Sequence, residues 1–207
     1  MSTQNPPKKR SVSEQKRIAI LDAAKAAFIE QGFLATSMDS VASRAGVSKR
    51  TVYNHFPSKE DLFTAITIEL IEVSAQSMQL AYDSDLSLRD QLLAIAFTKV
   101  ELMTNDDLLP LSRLILSETI RSPDKVTRVL SEVEQSERPF IQFLEDATQA
   151  GRLSIDNHPR AAAQFFSLIK GEVFWPMIIM GQEQPSSEDI NDICVKAVDM
   201  FLSYYAI

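Results

Sequence analysis

The chain holds one cysteine, five glycines and two histidines in 207 residues. A lone Cys194 excludes an intrachain disulfide framework and a thiolate metal cluster, and reads as a small apolar filler on a helix face. Scarce glycine beside plentiful Ala, Leu, Ile, Glu and Gln favours helices over a turn-rich β architecture. No apolar run reaches the roughly 18 to 20 residues needed to cross a bilayer. The polar opening MSTQNPPKKRSVSEQKR has no hydrophobic signal-peptide core. A cytoplasmic protein without membrane contact is therefore expected. H-x-x-x-H, C-x-x-C, a glycine-rich phosphate loop and G-x-S-x-G are also missing, so no catalytic group, metal or cofactor is expected. His158, beside Pro159, reads as a capping loop residue.

What is present is an unevenly charged chain. The total is −7, which at first argues against a nucleic-acid partner, but residues 1–60 carry ten Lys/Arg against five Asp/Glu. That head is +5 and the remaining 147 residues are −12. A basic head on an acidic body is the asymmetry expected when one end meets a polyanion and the other is repelled from it.

Helical spacing starts near Ser13, with Ile18, Leu21, Ala24 or Lys25, and Phe28 three to four residues apart and Gly32 where a C-terminal cap belongs. Thr36-Ser37-Met38-Asp39 opens a short second helix with Met38, Val41, Ala42 and Ala45 on its apolar stripe. Gly46-Val47 breaks it. Ser48 caps a third helix over Lys49–His55, ended by Phe56-Pro57, and Ser58 with Asp61 opens a fourth running to about Ala81. Further helices are predicted over Leu88–Met103, Pro110–Ile120, Asp124–Ala150 with a possible bend at Pro139, Arg160–Met180, and Ser187–Tyr205. No stretch alternates long enough to suggest a strand. The reading is an all-α fold of about nine helices. Residues 1–12 form a basic arm, 13–60 a three-helix helix-turn-helix head, and 61–207 a helical bundle.

The segment Thr36–Leu62, TSMDSVASRAGVSKRTVYNHFPSKEDL, carries the functional signal. Two short helices joined by the tight Ala-Gly-Val-Ser turn can project the second into a major groove about 12 Å wide. Packing by Met38, Val41, Ala42, Ala45, Val47 and Val52 leaves Ser48, Lys49, Arg50, Thr51, Tyr53, Asn54 and His55 on or near the outward face. Two cations, an aromatic, an amide and hydroxyls are what phosphates and base edges require.

Ala45-Gly46-Val47-Ser48, Tyr53, His55-Phe56 and Lys59-Glu60 with Leu62 resemble the DNA-binding domain of TetR-type (tetracycline-repressor-like) regulators, over roughly Gln15–Leu70. The resemblance implies a three-helix DNA-binding head and a ligand-binding, dimerising body. It implies that Thr36 or Ser37 meets phosphate and that Lys49, Arg50, Thr51 and Tyr53 reach the major groove. Tyr53 and His55 would lie near phosphates, and Lys59 would bind phosphate at the start of the fourth helix. Arg50 departs from the pattern, which often has a small residue there. It could read guanine or add a phosphate contact.

In the body, Phe174-Trp175-Pro176-Met177 is the most unusual patch. The resemblance implies a cavity, expected to be mainly apolar and lined by Phe97, Met103, Phe143, Phe174, Trp175 and Met177. It also implies a homodimer through the last two helices, a roughly palindromic double-stranded operator and a small apolar effector that releases a repressor from it. Two alternatives stand beside this: an effector-independent activator, and an all-α binding protein or enzyme whose basic region serves another partner.

Overall fold

A computed structural model describes residues 11–77, 81–122 and 127–207, with backbone only at 76–77 and 127–134. Among the described residues there are ten helices: α1 (Val12–Gln31), α2 (Met38–Arg44), α3 (Lys49–His55), α4 (Lys59–Ser77), α5 (Leu88–Met103), α6 (Leu108–Arg121), α7 (Thr127–Gln149), α8 (His158–Glu172), α9 (Phe174–Met180) and α10 (Ser187–Tyr205). The all-α expectation holds, and among these residues the extended pairing is one isolated antiparallel bridge, Leu153 to Ala206. The basic arm up to Arg10, the end of the fourth helix at 78–80 and the Pro123-Asp124 helix start lie outside the described residues.

One predicted helix is two. The run Arg160–Met180 breaks at Val173, whose backbone (φ −106°, ψ −62°) closes α8 and opens α9. Pro176 has no N–H to donate and its ring collides with the carbonyl four residues earlier, so an unbroken helix is disfavoured there. It sits instead in the first turn of α9, where the missing donor would have been unpaired anyway. Gly181, in the left-handed region at φ 66°, ends α9. The Arg113 guanidinium of α6 donates to the carbonyls of Met177 (2.9 Å) and Ile178 (3.3 Å), satisfying the last turn of this short helix.

The chain divides into two compact units, Met1–Thr67 and Ile68–Ile207, with the boundary inside α4. The first unit closes on Phe28, Phe33 and Phe63, whose ring centroids lie 5.2–6.4 Å apart, with Ile20, Val41, Val52, Leu62 and Ile66 fully buried around them. Serine caps do much of the local work here. Ser11 accepts from Glu14 N–H, Ser37 and Ser40 form a reciprocal capping box, and Ser48 accepts from Thr51 N–H.

The second unit is held by α5, α7, α8 and α10 around one apolar cluster. Phe140, Phe165, Phe166 and Phe201 interlock at centroid distances of 4.8–5.6 Å. The side chains of residues 127–134, at the start of α7, lie outside the described set. An exposed Arg89–Asp199 pair (2.8 Å) joins α5 to α10. Cys194 is buried in this core, and burial pushes its thiol up to about 11, in keeping with a filler. No described helix is long and apolar enough to cross a membrane.

Candidate nucleic-acid interface

α3 is a rigid two-turn rod. Its N-terminus is closed by the Ser48 hydroxyl, and the Phe56 N–H bonds the Val52 carbonyl at its end. Val52 is fully buried and pins the helix to the first unit's core. Helical spacing then places Lys49, Arg50, Tyr53 and Asn54 on the opposite face, at positions i, i+1, i+4 and i+5, and all four are exposed. Seven residues at about 1.5 Å each give a helix about 10 Å long, which fits along a major groove about 12 Å wide.

The surrounding electrostatics are set by carboxylates that the sequence reading did not single out. Asp39 of α2 pairs with Lys49 at 2.8 Å and holds the lysine above its ordinary value by hydrogen bond and charge. Lys49 also lies 5.9 Å from the Tyr53 ring centroid, so the two side chains are ordered together. Arg44 makes a two-pronged pair with Glu30 (2.5 and 2.6 Å), which ties α2 to α1 and lowers the Glu30 carboxyl below its usual range. Arg50 is exposed and, among the described residues, makes no ion pair. Ser48 and Thr51 hydroxyls lie 2.8 Å apart, and His55 is half-buried against Phe56.

Two expected phosphate contacts are placed elsewhere by the structure. Thr36 is buried (2% exposed), and its hydroxyl is shared between the carbonyls of Gly32 (2.9 Å) and Ala27 (3.1 Å). It locks the α1–α2 connection and presents no oxygen outward; Ser37, exposed at the start of α2, is the one so placed. Lys59 donates to three backbone carbonyls, Phe33 (2.7 Å), Thr36 (2.9 Å) and Leu34 (3.2 Å), and stands 4.6 Å over the Phe33 ring. An ammonium has three protons, and all three are engaged inside the head. Its sequence neighbourhood read as a helix start, but the distant loop it clamps has no signature in the local pattern.

In the second unit, two of the cavities among the described residues take up three of the six expected residues. Phe143 is buried between Tyr82 and Phe140 (5.5 and 6.1 Å) and touches a cavity of about 330 Å³ that Leu86, Gln91 and Ala94 also line. Met103 and Phe174 instead meet at a smaller cavity, about 180 Å³, with Leu70, Leu102 and Leu108. Phe97 and Trp175 are partly exposed, Met177 is buried in the core, and none of the three lines either cavity. Lys99 and Lys170 do line the smaller one and were missed. The signal was there: Lys99 stands on the inward stripe of α5, in register with Leu92, Ala96 and Met103.

Residues 20–66 match the family described as bacterial regulatory proteins, tetR family, and residues 90–207 match the AefR-like transcriptional repressor C-terminal domain. A TetR family transcriptional regulator of known structure from Pseudomonas syringae pv. tomato is 37% identical, with 95% of this chain and all of that one covered at a TM-score of 0.80. The flavonoid-responsive regulator FrrA is 33% identical over 93% of this chain and 97% of its own, at 0.78. The transcriptional activator FasR of Mycolicibacterium smegmatis is 43% identical over 53 residues, 26% of this chain and 24% of that protein, so the match spans about a quarter of its length. With a helix-turn-helix head, an all-helical second unit and matches that together extend over most of its length, the chain belongs to the TetR family of DNA-binding transcriptional regulators.

Proposed function

We propose that this regulator is a cytoplasmic, homodimeric repressor that reads a roughly palindromic operator with α3 and leaves it when a small molecule binds the second unit. The carrying observation is the exposed face of Lys49, Arg50, Tyr53 and Asn54 on a helix capped at one end and anchored by buried Val52. Lys49 and Tyr53 reach base edges, Arg50 supplies a free guanidinium for guanine or phosphate, and Ser37, Ser48, Thr51 and His55 flank them for backbone contacts. Repression is favoured over activation because the AefR-like repressor description matches residues 90–207, whereas the FasR activator matches over 53 residues.

Dimerisation is assigned to α8 and α10. Between them lies an open hollow of about 520 Å³ beside Leu168, Met200 and Tyr204, with Met200 58% and Tyr204 79% exposed. Apolar surface of that kind on a helix pair is the usual mark of an interface, and a two-fold axis through it would present two α3 helices to two half-sites. The effector reading is supported by the cavity at Met103 and Phe174, and by structural likeness to a regulator named as flavonoid-responsive. α4 contains both Lys59, which clamps the head, and Leu70 and Ser74, which line the cavity, so one continuous helix carries residues of both units.

The test is a mobility shift of promoter DNA adjoining the gene across a salt series. A sharp complex with a specific inverted repeat, weakening steeply with salt, is the expected result. Binding indifferent to sequence and salt would overturn the DNA reading, and a monomer by sedimentation would overturn the dimer.

A further inference from the structure

We propose that the cavity walled by Leu70, Leu102, Met103 and Phe174 binds a small amphipathic acid, with Lys99 and Lys170 receiving its carboxylate. This rests on the reading of the second unit as a ligand-binding module and names the chemistry of the ligand.

The two lysines come from different helices, α5 and α8, and line the same cavity of about 180 Å³. Among the described residues neither has a carboxylate within ion-pair distance. Among the described residues, Lys196 by contrast meets Asp192 at 2.6 Å on the surface. Lys99 is instead held 4.9 Å over the Phe166 ring, which fixes its ammonium without neutralising it.

Glu137 of α7 acts on Lys99 in the opposite sense to Lys170 but makes no ion pair with it. Desolvation, and then the neighbouring Lys170 charge, bring Lys99 down to about 8. Two half-buried cations beside apolar walls, with no carboxylate in ion-pair contact among the described residues, form an arrangement that an entering anion relieves twice over: it neutralises partly desolvated charge and it screens the like charges from each other.

The remaining lining is mainly apolar, Leu70, Leu102, Met103, Leu108 and the Phe174 ring, with two serines, Ser74 and Ser112. They fit an apolar tail in place of an inorganic ion. The cavity is smaller than the roughly 300–1,000 Å³ typical of drug-sized ligands. That size suits an aromatic or medium-chain carboxylate and excludes a bulky polycycle.

The experiment titrates the full-length protein with benzoate, phenylacetate and octanoate, each beside its primary amide, and with acetate and inorganic phosphate as tailless anions. Binding is read by calorimetry and by the fluorescence of the sole tryptophan, Trp175, whose ring lies 5.1 Å from Phe174. At least one acid should bind about tenfold tighter than its amide, since a charge-assisted contact replaces a neutral one. Acetate and phosphate should bind more weakly still. Lys99→Met and Lys170→Met should each remove the preference for acid over amide, while Lys196→Met, which deletes a surface cation, should keep it.

Equal binding of acid and amide, absence of binding by all three acids, or an acid preference that survives in the Lys99→Met/Lys170→Met double variant overturns the proposal. So does tight binding of tailless anions, which would mark an adventitious ion site. Operator binding is measured separately. Acid binding without release of DNA leaves this proposal standing and removes the effector-release step from the functional reading.

Discussion

In the head, Lys49 meets the Asp39 carboxylate at 2.8 Å and Lys59 donates to three backbone carbonyls, whereas in the body Lys99 and Lys170 face a cavity with no carboxylate within ion-pair distance among the described residues. The same side chain thus has three fates. An exposed ion pair in water is weak and easily exchanged, so Asp39 can hold Lys49 in place and yield it to a phosphate or a base. Three short bonds to partly buried carbonyls are not exchangeable in that way, and Lys59 becomes part of the fold. A desolvated, unpaired lysine is a standing electrostatic penalty that folding tolerates where something else is to be bound. Satisfaction by neighbours, more than charge itself, separates structural cations from functional ones.

The largest expected effect is that of Lys59→Met, which leaves the carbonyls of Phe33 and Thr36 without their donor. It should destabilise the head by about 2 kcal/mol, read by chemical denaturation, with operator binding lost as a consequence. If Lys59 were a phosphate ligand instead, the variant would keep its stability and lose only DNA.

Lys99→Met should move stability the other way. The folded-state value of about 8 lies below the ordinary 10.5, so the folded protein holds the Lys99 proton less tightly than the unfolded chain does. The penalty is therefore fully present below about pH 8 and fades as pH rises from there to 10.5. The variant should exceed the parent by on the order of 2 kcal/mol at pH 7, and the gap should close across that window in denaturation curves. A constant gap would remove desolvation as the cause.

Lys49→Ala and Tyr53→Ala should each weaken specific operator binding by at least roughly tenfold, as expected for loss of a base-edge contact, with melting temperature nearly unchanged. Full-strength complexes from both would displace α3 as the reading helix. The smallest effect is Asp39→Asn. Removing an acid beside the DNA face should raise affinity a few-fold and speed association, visible in stopped-flow at low salt. Weaker binding would mean that Asp39 positions Lys49 for its contact and does not merely park it.

Much of the architecture was legible along the chain. Ser48 and Phe56 bound α3 where the sequence placed its ends, and α5 spans Leu88–Met103 as read, because caps and apolar spacing are local and announce themselves. The split of Arg160–Met180 was half legible: Pro176 was visible, but the break falls three residues earlier, where backbone geometry at Val173 closes the preceding helix. The outward face of α3 was readable for the same reason that its core face was, since period 3.6 assigns both at once. Which residues share a cavity was the least legible feature. Phe97, Phe143 and Trp175 are aromatic residues of the right kind in three different settings, and composition does not say which of them share a wall.

By itself, the sequence determined the helix content, the head with the exposed face of its third helix, and the segregation of charge into a basic head and an acidic body. Each follows from residue type and spacing within a few turns. The tertiary structure alone decided that Thr36 and Lys59 are internal fasteners, that Met103 and Phe174 share a cavity while Phe143 does not, and that Lys99 meets Lys170 there. These outcomes depend on groups 9 to 26 residues apart in the head, and about 70 apart in the body, arriving within a few ångströms of each other. A hydrogen-bonding or charged side chain takes its role from the partner it finds, and that partner is fixed only when the helices pack.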